Sequence, residues 1–470
     1  MKKAVFGGFS KLLCSLLALC LLTGLAVPAF AEENVTLWLV TEETVSDGMN
    51  AVAENLIDAY EKEHKNLTIR MDILPASEKE RAACLSDLRQ KIAQGKGPDL
   101  YLLPTSNVLI TDRNTGFTYQ KIEPLFGDMR LSMEDGTFLD IGEFYDKDTD
   151  LQKEELNTQV MDAGKLGKAR YVLPLRFDFP VYYAFPQDWQ KAGMDIRILR
   201  EDLEGVMTYL TNQGKPEFAC GAEYWSLDAF SEIYDYQDRE VELEAEDVRE
   251  YLEQFQKLET VIGTEVRHRT KLSLANAKKV QGMDGELFPL HNASLNRSLD
   301  YLAMAAVLEK PMELYPLRSE DGDVIATVTY FGAVGADCRN PEAAYDFLRQ
   351  FLLADSQWEK NRKGTPEEQN PGIVAAGWPV RTRGSVEALW ENRKQQYMSR
   401  DFVSARNLEF TDKDLPILQE KIDEVRFPIA EDLWAAMEPL NDYEKGNAPT
   451  DADLSKIASD FVAQLHQRYS

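Results

Sequence analysis

The stretch KIAQGKGPDLYLLP, Lys91 to Pro104, changes its periodicity within a few residues and so locates the fold. Upstream of it, Glu78 to Gln94 carries Leu85, Leu88 and Ile92 at helical spacing. The Gly-x-Gly-Pro-Asp step then stops the helix at Pro98, and Asp99 opens a short apolar strand through Leu103. Working outward, Leu67 to Leu74 (LTIRMDIL) alternates like a strand and Asn50 to His64 has helical spacing. Val35 to Val40 (VTLWLV) reads as a buried first strand. A β-α-β-α-β series is the pattern of a mostly parallel sheet flanked by helices, with right-handed crossovers. The later chain keeps the mixture. Tyr171 to Pro174, Val181 to Phe185 and Val324 to Val334 read as strands. Val248 to Thr260, Arg297 to Leu308, Pro341 to Ala354 and Leu454 to Arg468 read as helices, the third opening with a proline, which a first helical turn tolerates.

The first residues carry a different signal. Lys2, Lys3 and Lys11 precede an apolar run from Leu12 to Ala26, and Ala29-Phe30-Ala31 forms a small-x-small step before Glu32. This is the layout of a secretory signal peptide, residues 1–31, with cleavage expected after Ala31. A membrane anchor needs about 20 apolar residues and fits less well. Leu19 precedes Cys20 where a lipid-modification site calls for a small residue. Export leaves Cys84, Cys220 and Cys338, three thiols far apart, which are not a disulfide framework; they read as small core residues, with a single pair as the alternative. The net charge of −28 falls to −31 when the three leader lysines are removed. Such a chain repels nucleic acid and anionic membranes.

These landmarks, in this order, resemble the family 1 extracellular solute-binding proteins, the maltose- and oligosaccharide-binding receptors of ABC importers. VTLWLV, the helix ending in YEKEHKNLTIRM, and KIAQGKGPDLYLLP come first. GKARYVLPLRFDFPVYYAFPQDWQKAGMD, Gly167 to Asp195, follows, with Ala184 where the family usually has Asn. TVTYFGAVGADCRNPEAAYDFLRQFLLADSQW, Thr327 to Trp358, and GWPVRTR, Gly377 to Arg383, complete the series. Glu201 to Met283 matches poorly and is acidic. The resemblance implies an α/β fold of two lobes, a type II periplasmic-binding-protein-like architecture with a ligand cleft between the lobes. It implies crossings near Pro174 to Pro180, near Ala326 to Phe331, and between Val386–Met398 and Trp434. Lobe one is then 32–176 plus 332–407, and lobe two 177–331 plus 408–470. It further implies a monomer that carries a small polar ligand, a mono- or oligosaccharide, to the permease subunits of an importer.

A sugar presents hydroxyls around an apolar ring face, so its cleft needs carboxylates, amides and flat aromatics. Asp178 is the first candidate. It lies four residues after Pro174, where the similar maltose-binding proteins place a sugar-binding carboxylate, and Phe177 and Phe179 point it the opposite way. Glu42 and Glu43 follow the first strand, and Ser106 and Asn107 the third, at the carboxyl edge where open α/β sheets bind ligands. Tyr224 and Trp225 resemble an acid-aromatic step of the second lobe, and Trp434 matches a stacking aromatic. No tryptophan stands near His291 to Ser294, where maltose-binding proteins carry a second one.

No cofactor or metal is expected. His64, His268, His291 and His466 are the only histidines and no two have ligand spacing. No Gly-x-Ser-x-Gly elbow and no Gly-Lys-Ser/Thr phosphate loop occurs. A secreted glycosidase needs only two carboxylates and 80 acidic residues are present, so turnover is what separates that alternative from a binding protein. A receptor serving a membrane sensor has the same sequence features as one serving an importer.

Overall fold

The computed structural model describes residues 34–42, 49–75, 77–105, 108–112, 117–121, 123–126, 129–214, 241, 243–253, 291–295, 298–319, 322–353, 377–382, 386–387, 389–390, 415–429 and 451–469. The proposed leader lies outside these residues. The first half-lobe follows the sequence reading closely. Strand β1 (Val35–Glu42), helix α1 (Met49–Glu63), β2 (Leu67–Leu74), α2 (Glu78–Ala93) and β3 (Leu100–Pro104) succeed one another. β1 pairs in parallel with both β2 and β3. Leu100 to Leu103 are all buried, as a strand covered on both faces requires. α2 turns Leu85 and Leu88 into the core, while Ile92 is half-buried.

A hairpin, β4 (Val108–Asp112) with β5 (Phe117–Lys121), and short helices follow, α3 (Met129–Glu134), α4 (Gly142–Lys147) and α5 (Thr158–Asp162). A two-residue pair, β6 (Lys165–Leu166) and β7 (Ala169–Arg170), leads into β8 (Val172–Asp178) and β9 (Pro180–Ala184). The second region contains α6 (Pro186–Lys191), α7 (Leu203–Gln213), β10 (His291–Ser294), α8 (Ser298–Leu308) and β11 (Glu313–Pro316). Then come β12 (Val324–Val334), α9 (Pro341–Leu348), β13 (Trp378–Pro379), α10 (Leu415–Ile422), β14 (Val425–Ile429) and α11 (Asp451–Tyr469). The helix expected from Pro341 to Ala354 is α-helical only to Leu348 and tightens into a 3-10 turn at Arg349–Leu352.

Two principal sheets result among the described residues. The large one runs β13-β8-β12-β3-β1-β2, with β14 also beside β12; the small one runs β10-β9-β11. The expectation of a mostly parallel sheet in each lobe needs correction. β12 is antiparallel to β3 and β8, and β9 is antiparallel to β10 and β11. The cause is topological: β12 enters the large sheet from the side of the small one, so it must run against β3 and against the outgoing β8.

Among the described residues the chain passes between the sheets at three places. Only Phe179 separates β8 in the large sheet from β9 in the small one. The return lies between β11 and β12. β14 then lies parallel to the start of β12, pairing Val324 with Val425, and α11 follows it. β9 alternates strictly. Val181 and Tyr183 join an apolar cluster continuous with the large sheet, whereas Tyr182 and Ala184 join a second cluster with Trp189, Leu210 and Phe461. α11 packs Leu454, Ala458, Phe461 and Leu465 into that second cluster at helical spacing, so the end of the chain covers the outer face of the small sheet. Phe461→Ala is expected to cost about 3–5 kcal/mol. A lowered urea midpoint for unfolding of the second cluster, followed by its tryptophan fluorescence, checks this.

Cys84 and Cys338 are both free thiols; Cys220 lies outside the described residues. Burial pushes the Cys338 thiol up to about 12, with the nearby Asp99 adding to the shift. The folded state therefore holds its proton through neutral pH. At pH 8 Cys338 is expected to react with an alkylating reagent far more slowly in the folded protein than after denaturation. Mass-spectrometric time courses of labelling read this directly; equal rates in the two states exclude a shielded thiol.

Candidate functional site

The carboxyl ends of β1 and β3 and the crossing strands β8 and β12 meet along one edge of the large sheet. Thr327 of β12 sits at the junction, paired with Asp178 of β8 on one side and Ile429 of β14 on the other. Directly opposed residues of paired strands share a face. Thr327 and Asp178 are both half-buried, between the buried neighbours Ala326, Val328, Phe177 and Phe179. Asp178 Oδ1 accepts a hydrogen bond from the Phe179 amide at 2.9 Å, which holds the carboxylate beside the crossing. The flanking rings of Phe177 and Phe179 stack at 6.4 Å, on the opposite side of the strand from Asp178.

Thr329 extends this polar face. The register of β12 against β8 shifts between Val328 and Tyr330, leaving Thr329 as the extra residue of a bulge. Bulges re-aim a side chain and gather at binding sites. The bulge is tied down from both sides. The Thr105 amide donates to the Thr329 carbonyl at 3.1 Å, and the Thr105 hydroxyl donates to the Val328 carbonyl. Gly377 closes the far side with a φ of +109°; a Cβ there would lie 2.3 Å from Thr329 Oγ1. Arg176 is wholly buried behind this face and donates to the Gly377 carbonyl at 3.4 Å.

The β1 and β3 side of the edge is braced internally. Thr41 Oγ1 donates to Asn50 Oδ1 at 2.8 Å, and Asn50 Nδ2 donates to the Glu42 carbonyl at 2.6 Å. Tyr330 reaches the Leu102 carbonyl with its hydroxyl at 3.4 Å. Glu42 does stand at the end of β1, but it departs from the expected ligand-facing carboxylate. It is 2% exposed, and both its oxygens receive the Arg81 guanidinium. Arg81 also donates to the carbonyls of Glu123 (2.6 Å) and Pro75 (3.2 Å), fastening α2 to the edge. The reason is spatial: a carboxylate turned inward there needs a cation, and Arg81 lies in the first turn of α2.

Of the residues expected from sequence, the structure thus puts Asp178 on the candidate site and gives Glu42 a structural role. Glu43, Ser106, Asn107, Tyr224, Trp225 and Trp434 lie outside the described residues. Thr327, Thr329 and Thr105 were missed. For Thr327 and Thr329 the signal is the alternation T-V-T-Y at Thr327–Tyr330, which reads as one polar face of a strand; Thr105 carries no such signal. Among the described residues no group of three or more His, Cys, Asp or Glu is placed to hold a metal ion. Among the same residues no helix is long and apolar enough to cross a membrane.

Two α/β bodies joined by adjacent crossing strands, with a polar face at the junction, define the two-lobed solute-binding-protein fold. The chain is similar to a family 1 extracellular solute-binding protein from Alicyclobacillus acidocaldarius, at 14% identity and a TM-score of 0.54 over 93% of this chain and 99% of that one. It is also similar to the galacto-N-biose/lacto-N-biose I-binding protein of the Bifidobacterium longum ABC transporter, at 12% identity and a TM-score of 0.53 over 93% and 98%. At these identities the likeness is one of fold. No protein-family profile matches the chain, and no curated relative matches it by sequence.

Proposed function

We propose that this chain is an exported solute-binding protein that captures a mono- or oligosaccharide between two lobes and delivers it to the permease subunits of an ABC importer. The observation that carries the reading is the junction at Thr327, which pairs with the half-buried Asp178 at the point where the chain crosses between sheets. A carboxylate placed there touches ligand while the lobes rotate about it. The lobes are 32–176 with 332–407, and 177–331 with 408–470. The protein acts as a monomer without cofactor or metal, and it binds without turnover. The structure of the Bifidobacterium protein, of the same fold, is in complex with lacto-N-biose, which supports a sugar as the ligand class.

A thermal-shift screen of mono- and oligosaccharides, polyols, amino acids and peptides tests the reading. A sugar at 100 times its dissociation constant stabilises the protein by about 2.7 kcal/mol. Shifts with peptides or amino acids alone overturn the sugar assignment, and hydrolysis of a bound oligosaccharide overturns the absence of turnover. Mature protein is expected to begin at Glu32, which N-terminal sequencing of secreted material checks. With the ligand identified, Asp178→Asn is expected to lose charge-assisted hydrogen bonds of about 1.5–3 kcal/mol, or roughly tenfold to hundredfold in affinity. Unchanged affinity in calorimetric titration removes Asp178 from the site.

A further inference from the structure

Two of the crossings are tied together by one side chain. The return between β11 and β12 is a tight turn: the Ser319 amide donates to the Asp323 carbonyl at 3.0 Å, and the Gly322 amide to the Ser319 carbonyl at 2.8 Å. Arg318 closes this turn, donating through one guanidinium nitrogen to the Gly322 carbonyl at 2.8 Å. Its other terminal nitrogen donates to Glu424, which stands in the turn between α10 and β14. A single planar fork thus joins the second crossing to the start of the third.

Both partners are largely withdrawn from water, Arg318 22% and Glu424 21% exposed, so their attraction is screened less than on an open surface. Lys421 donates to the other oxygen of Glu424 at 2.6 Å, so each carboxylate oxygen receives a cation. The backbone continues the link. Val324 pairs with Val425, the residue after Glu424. The register then shifts by a bulge at Arg426, and β12 stays beside β14 only as far as Thr327 with Ile429. Thr327 is the residue opposite Asp178. At about 3.3 Å per residue, the start of this short pairing and the junction are about 10 Å apart along β12. A bulge disrupts a ladder locally, so a pairing this short depends on what anchors its first residue.

We propose that Arg318 and Glu424 are positioning residues for the site: their clasp holds the first residues of β12 against β14 and thereby fixes Thr327 opposite Asp178. Neither residue touches ligand. They act through the backbone of the crossing pair, which is the part of the fold about which the lobes turn. The inference rests on the reading of the Thr327 junction as the ligand site.

Amide hydrogen exchange, read by mass spectrometry on the unliganded mature protein, tests the clasp in two variants. Glu424→Gln removes the charge that gathers both cations, and Arg318→Gln removes the fork. In each, the amides of 324–328 and 425–429 are expected to exchange about fivefold faster, the equivalent of losing a good partly exposed ion pair. The acceleration is expected to reach the Phe179 amide, which Asp178 holds at the junction. The amides of β1 and β3, in the same large sheet, are expected to keep their wild-type rates. Wild-type exchange at the crossing in either variant overturns the clasp. Acceleration confined to 425–429, with 324–328 and Phe179 unchanged, overturns the positioning of the site. Uniform acceleration through both lobes reduces the pair to a contribution to global stability and overturns the proposal as well. No ligand is present in this experiment, so its outcome is separate from that of the sugar screen: a protein that binds no sugar can still show the clasp, and one that binds sugar can lack it.

Discussion

Arg81→Ala is expected to be among the most damaging single changes in the first lobe, lowering unfolding free energy by about 3–5 kcal/mol. The substitution leaves the Glu42 carboxylate buried without its guanidinium, and it removes the donor to the Glu123 and Pro75 carbonyls. Most of the loss is the penalty of an uncompensated buried charge, not the worth of the pair. Replacing both partners by apolar residues, Glu42→Met with Arg81→Met, is therefore expected to recover much of the stability. Urea midpoints of the unliganded variants decide the matter. A double variant no better than Arg81→Ala would mean that the carbonyl contacts, and not the ion pair, dominate. If Glu42 touches ligand after all, the double variant folds and fails to bind, an outcome the same samples reveal in titration.

Gly377→Ala is the second large effect. The residue combines a φ of +109°, which L side chains rarely adopt, with close approach on both sides. An added Cβ lies 2.3 Å from Thr329 Oγ1 and 2.8 Å from the Phe177 carbonyl oxygen. Strain at such a backbone position costs about 1–3 kcal/mol, and overpacking costs a similar amount again. The clash pushes β13 away from β8 at the polar face, so ligand affinity is expected to fall together with stability. Gly136→Ala is the control: φ is +79° there as well, but nothing lies within 4 Å of the added Cβ. Its cost is expected to be confined to the backbone term. Equal losses in the two variants would show that the crowding at Gly377 relaxes freely and that the edge is softer than its contacts indicate.

Local signals made the first lobe readable. From Val35 to Pro104 each element is specified by its own periodicity and stopped by its own breaker, and the parallel pairing of β1 with β2 and β3 follows from the crossover helices. β12 was legible to the residue, Val324 to Val334, because it is an uncharged run rich in β-branched and aromatic residues between Asp323 and Gly335. The antiparallel pairing of β12 was not legible, since strand direction depends on which sheet the chain has just left. For the same reason the threonines of β12 looked like ordinary strand residues. Only the pairing of Thr327 with Asp178, fixed by two segments about 150 residues apart, turns that face into a candidate site.

Glu42 shows the division most plainly. Its position after an apolar strand was evident from the sequence, and so was the general rule that ligands gather at such ends. Whether its carboxylate faces the gap or the core was decided by Arg81, which the fold brings across from α2 over a separation of 39 residues. Local sequence determines what backbone conformation each segment prefers and which face it buries, because those depend on near neighbours. Which polar groups are neutralised and which stay available depends on charges delivered from distant segments, and that only the tertiary structure decides.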